Sequence, residues 1–346
     1  CKCLLCKREY DALGQTLEKT ISCGCQKSIG EYNIIQILQK HNIPFKAHIS
    51  DAPGKIVEMV SELTSNFSEE YIKLIVLGGD GTMNEVLQGV ADFTHTYIAY
   101  IPTGSSNDLA RDLKITKEPL EVLKQILAAK KPVPIDMGVL NYNSMNKERS
   151  RLHNKHIKNT RYFAVSCGIG FDAAICEEAL ASKAKNFLNR LGLGKLTYGA
   201  IAIKQLFKAA KSGCKLYLDD NPPIYIKRLW LMAIMVHSYQ GGGMMFCPGA
   251  DYRDGYFDIC AAGDISALKV LIMLPRTFKG NHVGVKGVNI YHAKNVRIKT
   301  EIPLWVHTDG EVSVQSDDIS LSCRKQTVNI LNPLPPSASA TKLTNK

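Results

Sequence analysis

The chain has 346 residues, 45% of them hydrophobic and 22% charged, with a formal net charge of +11. That length exceeds one typical domain and predicts two, each able to bury a core, and the balance is that of a folded globular protein, which excludes a disordered or fibrous chain. No apolar run reaches the length of a membrane span, no basic-then-apolar export signal opens the chain, and 11 scattered cysteines suit free thiols in a reducing cytosol better than a disulfide framework.

Taken in order, residues 1 to 30 crowd Cys1, Cys3, Cys6, Cys23 and Cys25 together at spacings that match no standard zinc pattern. Helical periodicity covers Tyr32 to His41, with Ile34, Ile35, Ile37 and Leu38 apolar, and Phe45 to Ile49 reads as a short strand. Ser50-Asp51-Ala52-Pro53-Gly54 then caps a helix from about Lys55 to Thr64.

The most informative stretch is Tyr71 to Leu113. Ile72 to Leu77 is an apolar, β-branched run of strand length, and Gly78, Gly79 and Gly81 follow at once, with a helix expected from Met83 to Ala91. Without Cβ atoms the backbone can approach a phosphate closely, and the first amides of the helix point toward it. The pattern repeats: Tyr97 to Ile101 is a strand, Pro102 to Ser106 a turn, and Asn107 to Leu113 the start of a helix. Ser105 and Ser106 offer hydroxyls, Asn107 an amide, and Asp80 and Asp108 a carboxylate in each unit. Two such loops in tandem, each with an acid, read as a nucleotide-phosphate cradle, the carboxylates organising Mg²⁺ and its waters.

Pro119 to Ala128 is helical, and residues 141 to 160 are polar and basic, an exposed hairpin loop whose cations suit phospholipid headgroups or simply solvent. From Arg161 the texture turns to strands at Tyr162–Ser166, Leu216–Leu218, Ile224–Met235, Phe257–Ala261, Val296–Thr300, Leu304–His307 and Val312–Val314, a largely antiparallel β domain. One long helical patch, Ala179 to Ser212, mixes Leu, Ile and Phe with lysines, as either an interfacial helix or an ordinary cover for the sheet would. Thr327 to Leu331 is a last strand returning to the first domain, and residues 334–346 form a disordered tail. The net positive charge calls for an anionic partner; no nucleic-acid motif with interleaved aromatics accompanies it, so a membrane face is favoured over nucleic acid.

GGDGT (Gly78 to Thr82) with PTGSSNDLAR (Pro102 to Arg111) resembles the catalytic domain of the diacylglycerol kinase family, in particular its soluble bacterial lipid kinases. GGDGT alone is similar to the motif of NAD kinases; the pair of motifs is more specific. CGIGFDAAI (Cys167 to Ile175), GLGKLTYGAIAIKQL (Gly192 to Leu206) and QGGGMMFCPGADYRDGYFDI (Gln240 to Ile259) are similar to the second domain of the same kinases, so the resemblance covers residues 45 to 331. It implies an α/β N-terminal domain (residues 1–138 with about 324–333) and a mostly antiparallel β-sandwich domain (139–323).

The resemblance further implies a kinase that moves the γ-phosphoryl group of ATP to a lipid hydroxyl, diacylglycerol first among them, on the cytoplasmic side as a peripheral protein of an anionic membrane; it is compatible with a homodimer. The nucleotide would be held by Ser50, Gly78, Gly79, Asp80, Gly81, Thr82, Met83, Asn84, Ser105 and Asn107, Ser50 standing where the family has a Thr that touches ATP. From residues alone Asp309-Gly310-Glu311 is a hairpin turn; the resemblance makes Glu311 the base that accepts the acceptor's proton, alongside Asp80 and Asp108. Likewise Asp254-Gly255 reads as a turn, and the resemblance places a second, structural Mg²⁺ on the Asp254 side chain and the carbonyls of Asp251 and Tyr256. Gly241 to Gly243 read as letting the backbone approach the cleft. Three departures stand out: Val165 and His237 occupy positions where the family often has Asn, and residues 1 to 30 contain no counterpart of its Asn-Pro-x-Ser-Gly-like loop. An NAD kinase-like enzyme with a soluble acceptor and a non-catalytic lipid or nucleotide sensor remain the alternatives.

Overall fold

A computed structural model describes residues 28–50, 52–65, 71–146, 158–181 and 194–334. They divide into two compact units, one reaching to Ile135 and taking in the chain again from Gln326, the other comprising Asp136–Lys325. The N-terminal cysteines, the centre of the 141–160 loop and the tail beyond Leu334 lie outside the described residues.

In the first unit, β1 (Ile72–Gly78) and β2 (Thr96–Pro102) pair in parallel from Ile72↔Thr96 to Gly78↔Pro102. β2 also pairs in parallel with the last residues of the chain's final strand, Asn329↔Tyr97 and Ile330↔Ile98. A parallel strand covered on both faces reads as an unbroken apolar run, and Ile98, Ala99, Tyr100 and Ile101 are all fully buried. The helices are α1 (Ser28–Lys40), α2 (Lys55–Ser65), α3 (Asp80–Gly89), α4 (Asp108–Asp112) and α5 (Pro119–Ala128). α2 and α3 approach closely at Gly89, where a Cβ would stand 2.6 Å from the Val57 carbonyl oxygen. Residues 43–50 form no strand, contrary to the expectation for Phe45 to Ile49: alternation alone does not make a strand, and this segment has no ladder partner. Ser50 is not a helix cap either, since its hydroxyl donates to the Ala52 carbonyl at 2.8 Å.

β3 (Val133–Tyr142) leads into the second unit, where it pairs antiparallel with β4 (Thr160–Phe163), making residues 143–159 the connection of a hairpin. The remaining strands are β5 (Ser166–Gly170), β6 (Ser212–Leu218), β7 (Ile224–Met235), the short pair β8 (Tyr239–Gln240) and β9 (Met244–Met245), β10 (Phe257–Gly263), β11 (Val288–Ala293), β12 (Asn295–Thr308) and β13 (Glu311–Ile330). Their pairings in this unit are antiparallel, in the order β12-β5-β7-β10-β11, with β6 joining β12 to β7. β12 and β13 form one long hairpin, so the strands expected separately at Val296–Thr300 and Leu304–His307 are one element that continues through a register shift between Lys299 and Leu304.

One face of this sheet is covered by α6 (Phe171–Ala181), α7 (Gly194–Lys208) and α8 (Ala267–Thr277). Phe171 meets Trp230 edge to face at 6.0 Å, and Trp230 donates its indole N–H to the Ile265 carbonyl at 2.8 Å. The single helical patch expected over Ala179 to Ser212 is therefore at least two helices, its end already in β6.

Candidate functional site

The glycine turns of the first unit come together because β1 and β2 are parallel neighbours, which places the C-terminal ends of both strands side by side. α3 begins at Asp80, three residues earlier than expected, with Gly79 as its extended N-cap and the Met83 amide already donating to the Gly79 carbonyl at 3.1 Å. Gly81 and Thr82 thus lie in the first turn, where amides precede any helical acceptor and the dipole favours an anion. The second loop folds onto the first: the amides of Thr103 and Gly104 both donate to the Gly78 carbonyl, at 2.7 and 3.1 Å. A Cβ on Gly104 would stand 2.4 Å from the Gly79 Cα and 2.4 Å from Asn107 Oδ1. The loops touch backbone to backbone, and that contact admits no side chain at Gly104 and only a crowded one at Gly79.

Asn107 takes the left-handed conformation at φ 52° and locks the second loop by donating from Nδ2 to the Gly104 carbonyl at 2.8 Å. The Asp80 carboxylate joins the units of the motif, accepting the Asp108 amide at 2.9 Å and the Leu109 amide at 3.2 Å, the opening amides of α4. Asp108 is buried and has the Arg111 guanidinium 3.7 Å away. Burial, with the negative field of Asp80 and Asp108 added, pushes the Tyr100 hydroxyl well above its usual range. Ser105 is exposed in the loop, whereas Met83 and Asn84 are buried beneath it, so these two shape the loop from below.

The second unit holds the Asp309-Gly310-Glu311 turn. β12 and β13 turn through Asp309 (φ 51°) and Gly310 (φ 85°) with Thr308 opposite Glu311, a two-residue hairpin whose left-handed torsions suit Asp-Gly. Asp309 does more than turn: its carboxylate accepts the amides of Ala164, Val165 and Ser166 at 3.0, 2.8 and 3.0 Å. The Gly310 amide donates to His307 Nδ1 at 3.2 Å, which fixes the tautomer so that Nε2–H faces Asp172 Oδ2, also at 3.2 Å. Gln240 reaches the same Asp172 oxygen at 3.2 Å. A side chain on Gly168 would collide with both Asp172 and His307. The turn presenting Glu311 is thereby clamped from two directions, by Asp309 and by the buried His307–Asp172–Gln240 group. The sequence reading did not single out Asp172, His307 or Gln240; the one available signal was an ionisable residue at each of two otherwise apolar, buried positions.

At the Asp254 loop, Gly255 has φ 87° and its amide donates to the buried Asp136 carboxylate at 2.7 Å, while Asp254 Oδ1 accepts the Tyr256 amide at 2.9 Å. Asp251 accepts the Arg253 amide with its side chain and the Asp254 amide with its carbonyl, at 3.1 and 3.4 Å. Burial raises the carboxyls of Asp254 and Asp258 above the ordinary range against the lowering effect of His292 on both; Asp251 raises both further, and Asp254 adds to the rise at Asp258. Among the described residues no group of His, Cys, Asp and Glu side chains is arranged as a metal cluster. The donor chemistry here, carboxylates with adjacent carbonyls, is that of a hard divalent cation's ligands, and Asp254 with the carbonyls of Asp251 and Tyr256 are the groups that would hold one. Gly241, Gly242 and Gly243 all have positive φ (67°, 85° and 111°) in the β8–β9 turn, so glycine is needed there for backbone conformation, in place of the close approach expected from sequence. The two departures Val165 and His237 are neighbours: the His237 amide donates to the Val165 carbonyl at 3.3 Å, and the ring stacks on Tyr252.

Residues 23–140 match the diacylglycerol kinase catalytic domain, and residues 166–332 match the YegS C-terminal NAD kinase beta sandwich-like domain. The chain belongs to the diacylglycerol kinase catalytic-domain family. Within that family it is 27% identical over 278 residues to a presumptive lipid kinase, YtlR, of Bacillus subtilis (strain 168), covering 80% of this chain and 85% of the relative. It is 28% identical over 242 residues to a diacylglycerol kinase of Mycobacterium tuberculosis (strain H37Rv), covering 69% and 70%. Its fold is similar to that of a solved presumptive diacylglycerol kinase from Bacillus anthracis str. Sterne, with a TM-score of 0.67 at 19% identity, covering 89% of this chain and 93% of the other. The diacylglycerol kinase family is a kinase family, and the α/β unit followed by an antiparallel β-rich unit is the architecture that the paired motifs imply.

Proposed function

We propose that this protein is an ATP-dependent lipid kinase that transfers the γ-phosphoryl group of ATP to the hydroxyl of a lipid, diacylglycerol in the first instance, yielding phosphatidic acid. The observation that carries the reading is the backbone-to-backbone junction of the Gly78–Gly79 and Gly104 turns, tied by Asp80 to the opening amides of α4. It lines helix-start amides and no bulky side chain against the place a polyphosphate would take. Phosphoryl transfer asks chiefly for positioning and charge neutralisation.

In this reading the first-turn amides at Gly81 and Thr82, with Ser105 and the Asn107-locked loop, bind and orient the triphosphate, and Ser50 borders the nucleotide. Asp80 holds the α4 amides in register and, with Asp108, would hold the waters of the nucleotide's Mg²⁺. When bound, Mg²⁺ neutralises phosphate charge; at Asp254 it would instead brace the loop. Glu311 accepts the proton of the lipid hydroxyl: the O–H bond breaks, the alcohol oxygen forms the new bond to the γ-phosphorus, and the bond from that phosphorus to the bridging oxygen breaks to release ADP. The lysine-rich surface supports attachment at the inner face of an anionic membrane.

The test is turnover of labelled ATP by purified protein against a panel of dispersed lipids and NAD, with products separated. Label should appear in phosphatidic acid, and Glu311→Gln should abolish that transfer while leaving ATP affinity within about threefold, a general base contributing about 10² to 10⁴ in rate. Label in NADP with none in lipid, or undiminished transfer by the Glu311→Gln protein, would overturn respectively the acceptor and the base.

A further inference from the structure

Surface helices ordinarily turn their apolar stripe inward and show water a polar one. α8, with the sequence ALKVLIMLPRT, is apolar on both sides. Val270 and Met273 enter the core with Phe171 and Trp230, while Leu268, Leu271 and Ile272 face solvent, Leu268 at 66% exposure. α7 repeats the arrangement: Leu206 enters that same core, and Phe207, one position on, is 79% exposed, with Ile203 one turn before it also exposed. The two helices touch, and because both send their inner residues into one core their outer stripes face away from the sheet on the same side. Exposed aliphatic and aromatic side chains gathered on adjacent helices mark an interaction surface.

The charges carried by the two stretches of chain that build it have one sign. From Leu180 to Leu218 and again from Ile265 to Thr300 the chain contains no Asp or Glu, and both stretches are punctuated by lysine and arginine. Lys208 on α7, Arg276 on α8 and Lys279 and Lys286 just beyond it are exposed. Glu178 of α6, the acid that comes nearest to this face along α7, is engaged by Lys204 and Gln205.

We infer that the outer face of α7 and α8 is the surface on which this protein docks onto an anionic bilayer. The inference rests on the lipid-substrate reading above and names the face that serves it. A second copy of the chain would set lysine against lysine, and a nucleic acid would leave the leucines without a partner. A bilayer accepts both halves of the surface at once: the aliphatic side chains enter the acyl boundary while the cations meet headgroup phosphates. No helix among the described residues is long and apolar enough to cross the membrane, which suits helices lying in the interface.

The experiment is flotation of the full chain with vesicles of phosphatidylcholine, with and without phosphatidylglycerol, at low and high salt, comparing wild type with Leu268→Ser/Ile272→Ser and Lys208→Gln/Lys279→Gln. All these side chains are exposed, so folding is spared, and the same proteins are assayed on a short-chain diacylglycerol in detergent micelles. Wild type should float only with anionic vesicles. The apolar double variant should lose partitioning by about a hundredfold, and the lysine variant by about fivefold per lysine at low salt with much less effect at high salt. Micelle turnover should stay within about twofold, since neither pair touches the motifs that carry it. Wild type that ignores anionic vesicles overturns membrane docking itself. Variants that float like wild type overturn this face while leaving the kinase reading intact, as does a change of oligomeric state with unaltered flotation. Absence of lipid phosphorylation even in micelles sinks the lipid-kinase reading, whatever the vesicles show.

Discussion

Replacing Gly104 by Ala probes the contact on which the proposed nucleotide cradle rests. The added Cβ would lie 2.4 Å from the Gly79 Cα, a backbone atom that cannot swing aside, so the loops must part by about 1 Å to restore a carbon–carbon contact near 3.5 Å. Overpacking of this kind costs about 1–3 kcal/mol. Parting the loops also weakens the Thr103 and Gly104 bonds to the Gly78 carbonyl, each worth about 1 kcal/mol. Melting should therefore fall by about 3 to 5 kcal/mol equivalent, with a loss of about 10²-fold in kcat/KM for ATP because a 1 Å displacement of positioning groups is costly. Gly249→Ala is the control: nothing lies within 4 Å of its added methyl, and its φ is not in the left-handed range. Calorimetric ATP titration and thermal melts of the two variants side by side provide the assay. A Gly104→Ala protein that binds ATP and melts like Gly249→Ala would refute the reasoning, because it would mean that the loops do not need to touch.

The clamp on the hairpin turn predicts that Asp309→Ala, which strands the amides of Ala164, Val165 and Ser166, costs about 4 kcal/mol or about 10 °C in melting temperature; a melt within about 2 °C of wild type would remove Asp309 from that role. At the Asp254 loop the folded state holds protons more tightly than the unfolded chain, because Asp254 and Asp258 are raised. Stability should therefore fall as pH rises from the unfolded carboxylate pKa of about 4 through their folded values, and the penalty should be fully present above them. Saturating Mg²⁺ relieves that penalty, so at neutral pH it should add about 3 kcal/mol at a hundredfold excess over Kd. The gain should vanish on chelation, at acid pH and in Asp254→Asn. An equal gain in Asp254→Asn, read by thermal melts, would place the ion elsewhere.

Much of the fold was legible because strong local patterns and tertiary structure agree. β7 spans Ile224–Met235, the bounds its β-branched and aromatic texture implies, and the glycine turns after β1 and β2 identified themselves by residues with no other use. The rest failed for physical reasons. α8 shows solvent as well as the core apolar residues, which blurs its inward stripe, and Pro275 within its last turn argues against a helix. β13 continues through the largely polar stretch from Gln315 to Ser322 because β12 pairs with it from Trp305 to Asn295, a non-local cause invisible in the segment itself. The turn at Asp309-Gly310 was readable from two residues, yet its clamp was not, since the amides it holds lie more than 140 positions earlier in the chain.

Asn332 pairs with both the amide and the carbonyl of Tyr100, a partner 232 positions upstream. The lobe that is begun first is therefore finished last. During synthesis β2, already paired with β1 on one side, would wait roughly 10 to 50 seconds for its other neighbour at ordinary elongation rates. A protease that clipped the chain just before Thr327 would strip β2 of this neighbour, and with it the proposed nucleotide site of its support, without touching a single glycine of the two turns.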